Sequence, residues 1–275
     1  MNNKLKCLIC NGDTEYYFTK QYSPPYDAFL NKADFYKCNQ CGFTFSKTVF
    51  DMSVNTWVKL NFDFHSYIEN PSNDKVGNQP PYFEQALMLK ILLKNGIIDG
   101  KDMLDYAGGL GTLSKILKKY FSINLPIFDP YMQDKVNSKL SYIKESNLKP
   151  SKVVINSAMF EHIRFRKDLD QLNALVADDG MLILHTVICE NIPKDPDWFY
   201  ITLPVHSALH TNKSMSILMK QWGYISSVYC PSSKCWILFK KEPQNLLNKL
   251  KVINEEQQNN YLHYKNGFVD YWKGF

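Results

Sequence analysis

The order of apolar and polar positions predicts an alternation of strands and helices over residues 101–241. Short apolar runs are typical of buried strands, and they cover residues 101–107, 125–129, 152–157 and 181–188. Apolar residues at helical spacing separate these runs and predict helices over residues 110–120, 168–176 and 211–222. Strands that alternate with helices in this way predict an α/β fold with a largely parallel sheet.

Two further strands close this part of the chain. Residues 226–230 and 235–240 are apolar and are separated by the four turn-forming residues Pro-Ser-Ser-Lys. This pattern predicts an antiparallel hairpin at one end of the sheet.

The first 50 residues follow a different pattern, in which cysteine pairs flank two short strands. The pairs are Cys7/Cys10 and Cys38/Cys41, and the strands are predicted over residues 14–20 and 34–37. Two Cys-x-x-Cys turns can supply the four thiolates of a tetrahedral Zn²⁺ site, and four thiolates leave no open position for catalysis. We therefore expect a structural zinc ion at Cys7, Cys10, Cys38 and Cys41.

The composition limits the alternatives. The chain has 275 residues, 45% of them hydrophobic, and contains no apolar run of membrane-spanning length. Seven cysteines are an odd number, which argues against a secreted disulfide framework, and the N-terminus does not resemble a signal peptide. These features predict a cytoplasmic protein without a membrane span. The net charge of +5 is spread out, which disfavours a nucleic-acid partner.

The sequence Asp-Tyr-Ala-Gly-Gly-Leu-Gly, from Asp105 to Gly111, lies between the first predicted strand and its helix. Glycines at such a turn let the backbone approach a ligand beside a helix N-terminus. The next strand ends in Asp129, which is suited to bind two ribose hydroxyls. A nucleoside-containing cofactor is therefore expected here. NAD remains an alternative, although Ser114 replaces the third glycine of the dinucleotide motif.

Residues 80–241 resemble the class I S-adenosylmethionine-dependent methyltransferases. The resemblance lies in the glycine turn (with Ala107 in place of the first glycine), in Asp129 and in Phe-Glu-His-Ile at 160–163. It also includes Asp-Asp-Gly at 178–180, as a turn before the strand predicted at 181–188. It implies a seven-stranded Rossmann-like sheet and S-adenosylmethionine as cofactor. The cofactor-binding residues that it implies are Asp105, Ala107, Gly108, Gly109, Gly111, Asp129 and Ser157.

A closer resemblance is to methyltransferases with an N-terminal four-cysteine zinc module that act in sugar and surface-polysaccharide pathways. The carbon-methylating enzymes of that group carry Tyr-x-Glu-His where this chain has Leu-Pro-Val-His206, and they have a large C-terminal domain that is missing here. Both departures favour O-methylation. The implied acceptor is a sugar, a nucleotide-sugar or a capsule-modification precursor with a phosphate or phosphoramidate oxygen. Tyr67 is the nearest match to an active-site tyrosine of that group.

Methyl transfer to a hydroxyl needs a base, and histidine is suited to that role near neutral pH. His162 and His206 are the candidate bases, and Glu161 is a candidate to orient His162. The expected domains are a zinc module (1–50), a linker and helical lid (51–95), the cofactor domain (96–241) and a C-terminal helical and aromatic extension (242–275).

The C-terminal extension is rich in aromatic residues and is expected to dock on the domain or to form a homodimer. These residues are Tyr261, Tyr264, Phe268, Tyr271, Trp272 and Phe275. The alternative function is an RNA-binding or RNA-modifying zinc-ribbon protein. It predicts a basic stripe on the first 50 residues, and the charges there do not form one.

Overall fold

The computed structural model describes residues 5–68, 80–131 and 140–270. The strands in these ranges are β1 (Thr14–Gln21), β2 (Lys32–Cys38), β3 (Thr44–Ser46), β4 (Met103–Tyr106), β5 (Ile127–Phe128), β6 (Ser151–Ser157), β7 (Val176–His185), β8 (Ile188–Cys189), β9 (Ala208–Thr211), β10 (Ser226–Cys230), β11 (Cys235–Phe239) and β12 (His263–Asn266). The helices are α1 (Lys47–Asp51), α2 (Val54–Ile68), α3 (Tyr82–Lys94), α4 (Thr112–Phe121), α5 (Arg166–Ala174), α6 (Asn212–Gln221) and α7 (Leu246–Glu256).

The larger sheet has seven strands in the order β12-β10-β11-β7-β6-β4-β5. Strands β5, β4, β6 and β7 pair in parallel, whereas β11 pairs antiparallel with β7 and with β10. Helices on both faces explain why its central strands are continuous apolar runs. The expected α/β class with a seven-stranded sheet is confirmed.

The β10–β11 hairpin was expected to form one edge of this sheet, but a further strand lies outside it. Strand β12 pairs antiparallel with β10 and comes from the C-terminal extension. The extension docks on its own chain here, because Tyr261 and Phe268 are buried and the Trp236 indole donates to the Val269 carbonyl at 2.8 Å. Residues Tyr271, Trp272 and Phe275 lie outside the described residues, and a homodimer through this tail remains a prediction.

A second sheet contains five strands in the order β1-β2-β3-β9-β8. The first three strands come from the cysteine-rich segment, while β8 and β9 belong to the long insertion that follows β7. The cysteine-rich segment and the insertion therefore form one structural unit, which the sequence analysis treated as two separate parts.

The start of β7 also differs from the sequence prediction. Asp178, Asp179 and Gly180 were expected to form a turn, but they lie inside the strand. The register is irregular here, since Ser151 pairs with Val176 and Val153 pairs with Met181. The extra residues form a bulge, which is a common way to accommodate additional residues in a paired strand.

The core lies on both faces of the seven-stranded sheet. On β6, Val154 packs into the cluster that includes α5 and α6, whereas Val153 and Ile155 pack into the cluster that includes α3, α4 and α7. The cysteines join the α5–α6 cluster. Alternate side chains of a strand point to opposite faces, so the successive positions 153–156 of β6 are all buried.

Arg164 fixes the corner between α1 and α2. Its guanidinium donates to the carbonyl oxygens of Val49 (3.0 Å) and Phe50 (3.1 Å), and also to that of Met52. Because this arginine is only 5% exposed, these carbonyls replace the water that it would otherwise bind. These contacts fix the backbone immediately before α2. Within the described ranges, none of the helices has both the length and the apolar character to cross a bilayer.

Candidate functional site

A cavity of about 1060 Å³ opens at the carboxyl ends of β4, β5 and β6. This is the edge where ligands bind in open α/β sheets. One end of the cavity is lined by the glycine turn and Asp129, and the other by α2, Glu161, His162 and the insertion after β7. The cavity therefore joins two regions of different chemistry.

At the glycine end, the Asp129 carboxylate holds the turn. One of its oxygens accepts the Gly109 N–H at 2.9 Å and the other accepts the Tyr131 N–H at 2.8 Å. The Tyr142 hydroxyl donates to the Gly109 carbonyl oxygen at 2.8 Å from the opposite side. These contacts fix the backbone that faces the cavity.

Gly109 and Gly111 have different roles in this turn. Both have a left-handed backbone, with φ of 52° and 70° respectively, a conformation that favours glycine. A Cβ on Gly109 would meet nothing within 4 Å, and this residue lines the cavity. A Cβ on Gly111 would lie 2.6 Å from Ile127 Cδ1, and Gly111 faces the protein rather than the cavity lining.

Four other residues of the implied cofactor set, Asp105, Ala107, Gly108 and Ser157, line the cavity. Ala107 replaces the family's first glycine and keeps its left-handed backbone, with φ of 59°. The Ser157 hydroxyl donates to Gln85 Oε1 at 3.1 Å. Gln85 is a buried polar residue of α3 that sequence reasoning missed, because nothing in its apolar helix marks it out.

Asp105 is buried beneath the turn, with 2% of its surface exposed. Burial, with a smaller contribution from the neighbouring charge of Asp129, raises the pKa of its carboxyl to about 7. The base of the glycine end therefore holds a carboxyl group whose pKa lies near neutral pH.

At the other end, three imidazole rings lie in a row. The ring of His162 is 5.3 Å from that of His65 and 5.3 Å from that of His206, measured between centroids. They come from α2, from the short turn after β6 and from the insertion. Burial lowers the pKa of all three, and that of His206 falls to about 4, so the neutral forms are favoured.

Glu161 lies beside these rings in a buried hydrogen-bond network. Its Oε2 accepts the Thr186 hydroxyl at 3.0 Å, and the Tyr200 hydroxyl lies 3.1 Å from that of Thr186. Burial raises the pKa of the Glu161 carboxyl to about 7. The sequence placed Tyr200 only within an aromatic run, and it gave no signal for Thr186.

The structure thus brings together Glu161, His162 and His206, and adds His65. Tyr67 is placed elsewhere: its ring packs 5.4 Å from that of Phe29 and does not line the cavity. Other residues of α2 line it, namely Asn61, Phe62, Phe64, His65, Ser66 and Ile68.

The four N-terminal cysteines converge, with all four sulfurs within 4.8 Å of one another. The Cys7–Cys41 and Cys10–Cys38 sulfurs are 3.6 and 3.4 Å apart. Thiolates bound about 2.3 Å from a tetrahedral zinc are separated by roughly 3.8 Å, so these distances fit that ion. The backbone N–H of Ile9 points to Cys7 Sγ at 3.4 Å, as expected for a metal-binding turn.

The cysteine cluster is tied to the larger sheet and its helices. Arg166 and Gln221, from α5 and α6, donate to the Ile9 carbonyl at 3.2 and 3.0 Å. The Thr211 hydroxyl donates to the Cys41 carbonyl at 2.5 Å. Cys189, Cys230 and Cys235 are buried outside the cluster and act as small core residues.

No protein-family model matches the sequence, and no curated protein matches it. Several solved structures of S-adenosylmethionine-dependent methyltransferases are similar in fold. The plantazolicin methyltransferase BpumL in complex with S-adenosylhomocysteine has a TM-score of 0.43 and 13% identity over 76% of this chain and 96% of its own. A SAM-dependent methyltransferase from Aquifex aeolicus has a TM-score of 0.39 and 18% identity over 63% of this chain and 96% of its own.

CalO1, a methyltransferase in calicheamicin biosynthesis in its S-adenosylhomocysteine-bound form, has a TM-score of 0.39 and 12% identity over 56% of this chain and 52% of its own. These overall similarities are low. The function of this chain therefore has to be inferred from the residues of the cavity itself.

Proposed function

We propose that this chain is an S-adenosylmethionine-dependent methyltransferase that methylates an oxygen atom. The observation that carries the proposal is the single cavity with two ends. A nucleoside site made by the glycine turn and Asp129 opens directly onto a second site that is lined by imidazole and aromatic side chains. A methyltransferase needs this arrangement, because donor and acceptor must meet in line.

The residues of the glycine end fit the cofactor. Gly109 has open space on its cavity side, and the N-terminus of α4 lies beside it. The Asp129 oxygens each accept one backbone N–H, and a carboxylate has about four acceptor sites, so two ribose hydroxyls can still bind. S-adenosylmethionine supplies a sulfonium methyl group: the O–CH₃ bond forms as the S–CH₃ bond breaks, and the hydroxyl proton is lost to solvent.

Two observations favour this cofactor over NAD. Ser114 occupies the third glycine position of the dinucleotide motif, and its hydroxyl donates to the Leu125 carbonyl at 2.9 Å. In addition, the antiparallel β10–β11 hairpin beside β7 agrees with the family that the sequence resembles.

The other end of the cavity, which is lined by the imidazole rings and is called the acceptor end from here on, favours a polar but weakly charged acceptor. It combines His65, His162 and His206 with the aromatic rings of Phe199 and Tyr200. Among the lining residues that the structure describes, Lys234 is the only lysine or arginine. We therefore favour a sugar hydroxyl, free or on a nucleotide-sugar. A capsule-modification precursor with a phosphate or phosphoramidate oxygen is the anionic alternative.

We further propose that the four cysteines bind a structural zinc ion. Their spacing supports this proposal, and four thiolates leave no open coordination position. Reduced thiolates are stable in a reducing compartment, which supports a cytoplasmic location.

The test is a transfer assay with S-adenosylmethionine labelled in its methyl group. Purified full-length protein is incubated with separate panels of nucleotide-sugars, sugar phosphates, phosphoramidates and RNA. We expect label in an alkali-stable O-methyl ether of a sugar. Transfer to RNA alone would refute the acceptor class, and hydride transfer from NADH with no methyl transfer to any panel would refute the reaction.

A further inference from the structure

A second group of potential metal ligands lies at the acceptor end. In the described part of the chain, Glu161, His162 and His206 each present one donor atom, and these atoms lie within 4.8 Å of one another. Ligands bound 2.0–2.2 Å from one ion are separated by up to about 4 Å. Small side-chain rotations are therefore enough to place all three on a common ion.

His206 is held in the tautomer that binds metals. Its Nδ1 lies 2.5 Å from the Tyr200 carbonyl oxygen, which can only accept, so Nδ1 carries the proton and donates it. The lone pair of the neutral ring is then on Nε2. A ligating histidine usually donates its other N–H to such an oxygen, which fixes the orientation of the ring.

His162 supplies an independent observation. Its Nδ1 is buried and has no hydrogen-bond partner among the described residues. A buried polar nitrogen without a partner is costly, and such atoms often mark the site of a bound ion or water. The ring is flanked by those of His65 and His206, each 5.3 Å away between centroids.

Glu161 offers a buried carboxyl group that a bound cation would hold in its ionised form. Its side chain is buried with 2% exposure, and its contacts among the described residues are with hydroxyl groups rather than with lysine or arginine. A buried carboxylate without a cation is unfavourable. A divalent ion would supply the missing positive charge, and the Thr186 hydroxyl would orient the carboxylate.

We propose that Glu161, His162 and His206 bind one divalent first-row transition-metal ion at the acceptor end of the cavity. Two imidazoles and one carboxylate are a ligand set for Mn²⁺, Fe²⁺, Co²⁺ or Zn²⁺ that leaves coordination positions open. The role of the ion rests on the proposed function: a hydroxyl oxygen of the acceptor at an open position loses its proton more readily. The proton then passes to water, and both histidines act as ligands instead of bases.

The experiment uses full-length protein that keeps its cysteine-bound zinc. The protein is dialysed against a weak chelator, its zinc content is measured, and Mn²⁺ alone is titrated by calorimetry and electron paramagnetic resonance. Mn²⁺ is chosen because it prefers oxygen and nitrogen ligands and competes poorly for thiolates. We expect one Mn²⁺ per chain, bound in addition to the zinc.

Two variants test the ligands and one serves as a matched control. Glu161→Gln preserves the size of the side chain, and His162→Ala removes a ring that lines the cavity. Each should weaken Mn²⁺ binding about 100-fold or more, because even the loss of a residue that supports a ligand costs about 10–100-fold. His263→Ala is the control, because it removes an imidazole of β12 that does not line the cavity, and it should leave the Mn²⁺ affinity unchanged.

A cooperative thermal unfolding transition and retained cysteine-bound zinc check that each variant is folded, independently of S-adenosylhomocysteine binding. Wild-type protein that binds S-adenosylhomocysteine but no Mn²⁺, Co²⁺ or Zn²⁺ beyond the cysteine cluster would overturn the metal site. A folded Glu161→Gln variant with wild-type Mn²⁺ affinity would also overturn it. Protein that binds Mn²⁺ with the expected variant pattern but no S-adenosylhomocysteine would support the metal site and refute the proposed function.

Discussion

The two ends of the cavity are built in different ways. The glycine end comes from one short stretch, Asp105 to Thr112, together with Asp129, which directly follows the adjacent strand β5. The acceptor end is assembled from α2, from the turn after β6 and from the insertion after β7, and these segments are far apart in the sequence. The first depends on local backbone geometry, whereas the second depends on the packing of the whole chain.

This difference shows why changes far from the acceptor end should affect it. The insertion that carries Tyr200 and His206 is anchored by β8 and β9 in the five-stranded sheet. That sheet ends at the cysteine cluster, since β2 includes Cys38. The five-stranded sheet therefore supports the acceptor end. None of its strands carries a residue of the implied cofactor-binding set.

Loss of zinc should therefore have the largest effect on the stability of the protein. Cys38→Ser should remove about one zinc per chain and lower the free energy of unfolding by at least about 4 kcal/mol, because metal binding contributes directly to folding. Zinc analysis and chemical denaturation measure both quantities. Cys189→Ser is the control, since this buried cysteine of β8 lies outside the cluster. A Cys38→Ser variant with full zinc content, or with no greater loss of stability than the control, would refute the structural zinc.

The two left-handed glycines separate stability from binding at the cofactor end. Gly111→Ala should lower the free energy of unfolding by about 2–4 kcal/mol, since it adds a clash with Ile127 to an unfavourable backbone conformation. Gly109→Ala should lower it by only about 1–2 kcal/mol, while S-adenosylhomocysteine binding weakens about tenfold or more because the new methyl group points into the cavity. Urea unfolding and calorimetry distinguish them. Equal stability losses in both variants would contradict this division of roles.

The sequence could predict the glycine end because its geometry is local. Asp105, Gly109 and Asp129 are close in sequence to a strand end and a helix start, and that local pattern fixes their approximate positions. The zinc-type cysteines are recognisable for the same reason, since each pair lies in one turn. The α/β class follows from the alternation of apolar runs, whereas the seven-stranded sheet was implied by the family resemblance.

The acceptor end was harder to predict because it depends on pairing between distant segments. Nothing near Tyr200 or Thr186 indicates that they surround Glu161. The pairing of β3 with β9, and the addition of β12 to the sheet edge, join segments more than 30 residues apart. Tyr67 is the nearest match by sequence position, but its neighbours Ser66 and Ile68 line the cavity and Tyr67 does not.

Asp105 predicts a pH effect at the cofactor end. Burial raises the pKa of its carboxyl from 3.8 to about 7, so its contribution to stability is complete below about pH 4 and is lost as the pH rises towards 7. Asp105→Asn should remove this dependence. The stability of the variant relative to wild type should rise by up to about 1.4 kcal/mol per pH unit between pH 4 and 7 and then level off. Urea unfolding of the cofactor-free proteins measures it, and a difference that does not change with pH would show that Asp105 is ionised throughout.

The most direct test of the central claim is calorimetric titration of wild type and Asp129→Ala with S-adenosylhomocysteine and, separately, with NAD. Wild type should bind S-adenosylhomocysteine and not NAD. Asp129→Ala should lose about 1–3 kcal/mol of binding free energy, because it removes the hydrogen bonds to the ribose and the anchor of the Gly109 amide. Equal affinity of the two proteins for S-adenosylhomocysteine, or NAD binding without S-adenosylhomocysteine binding, would contradict the assignment of this cavity to methyl transfer.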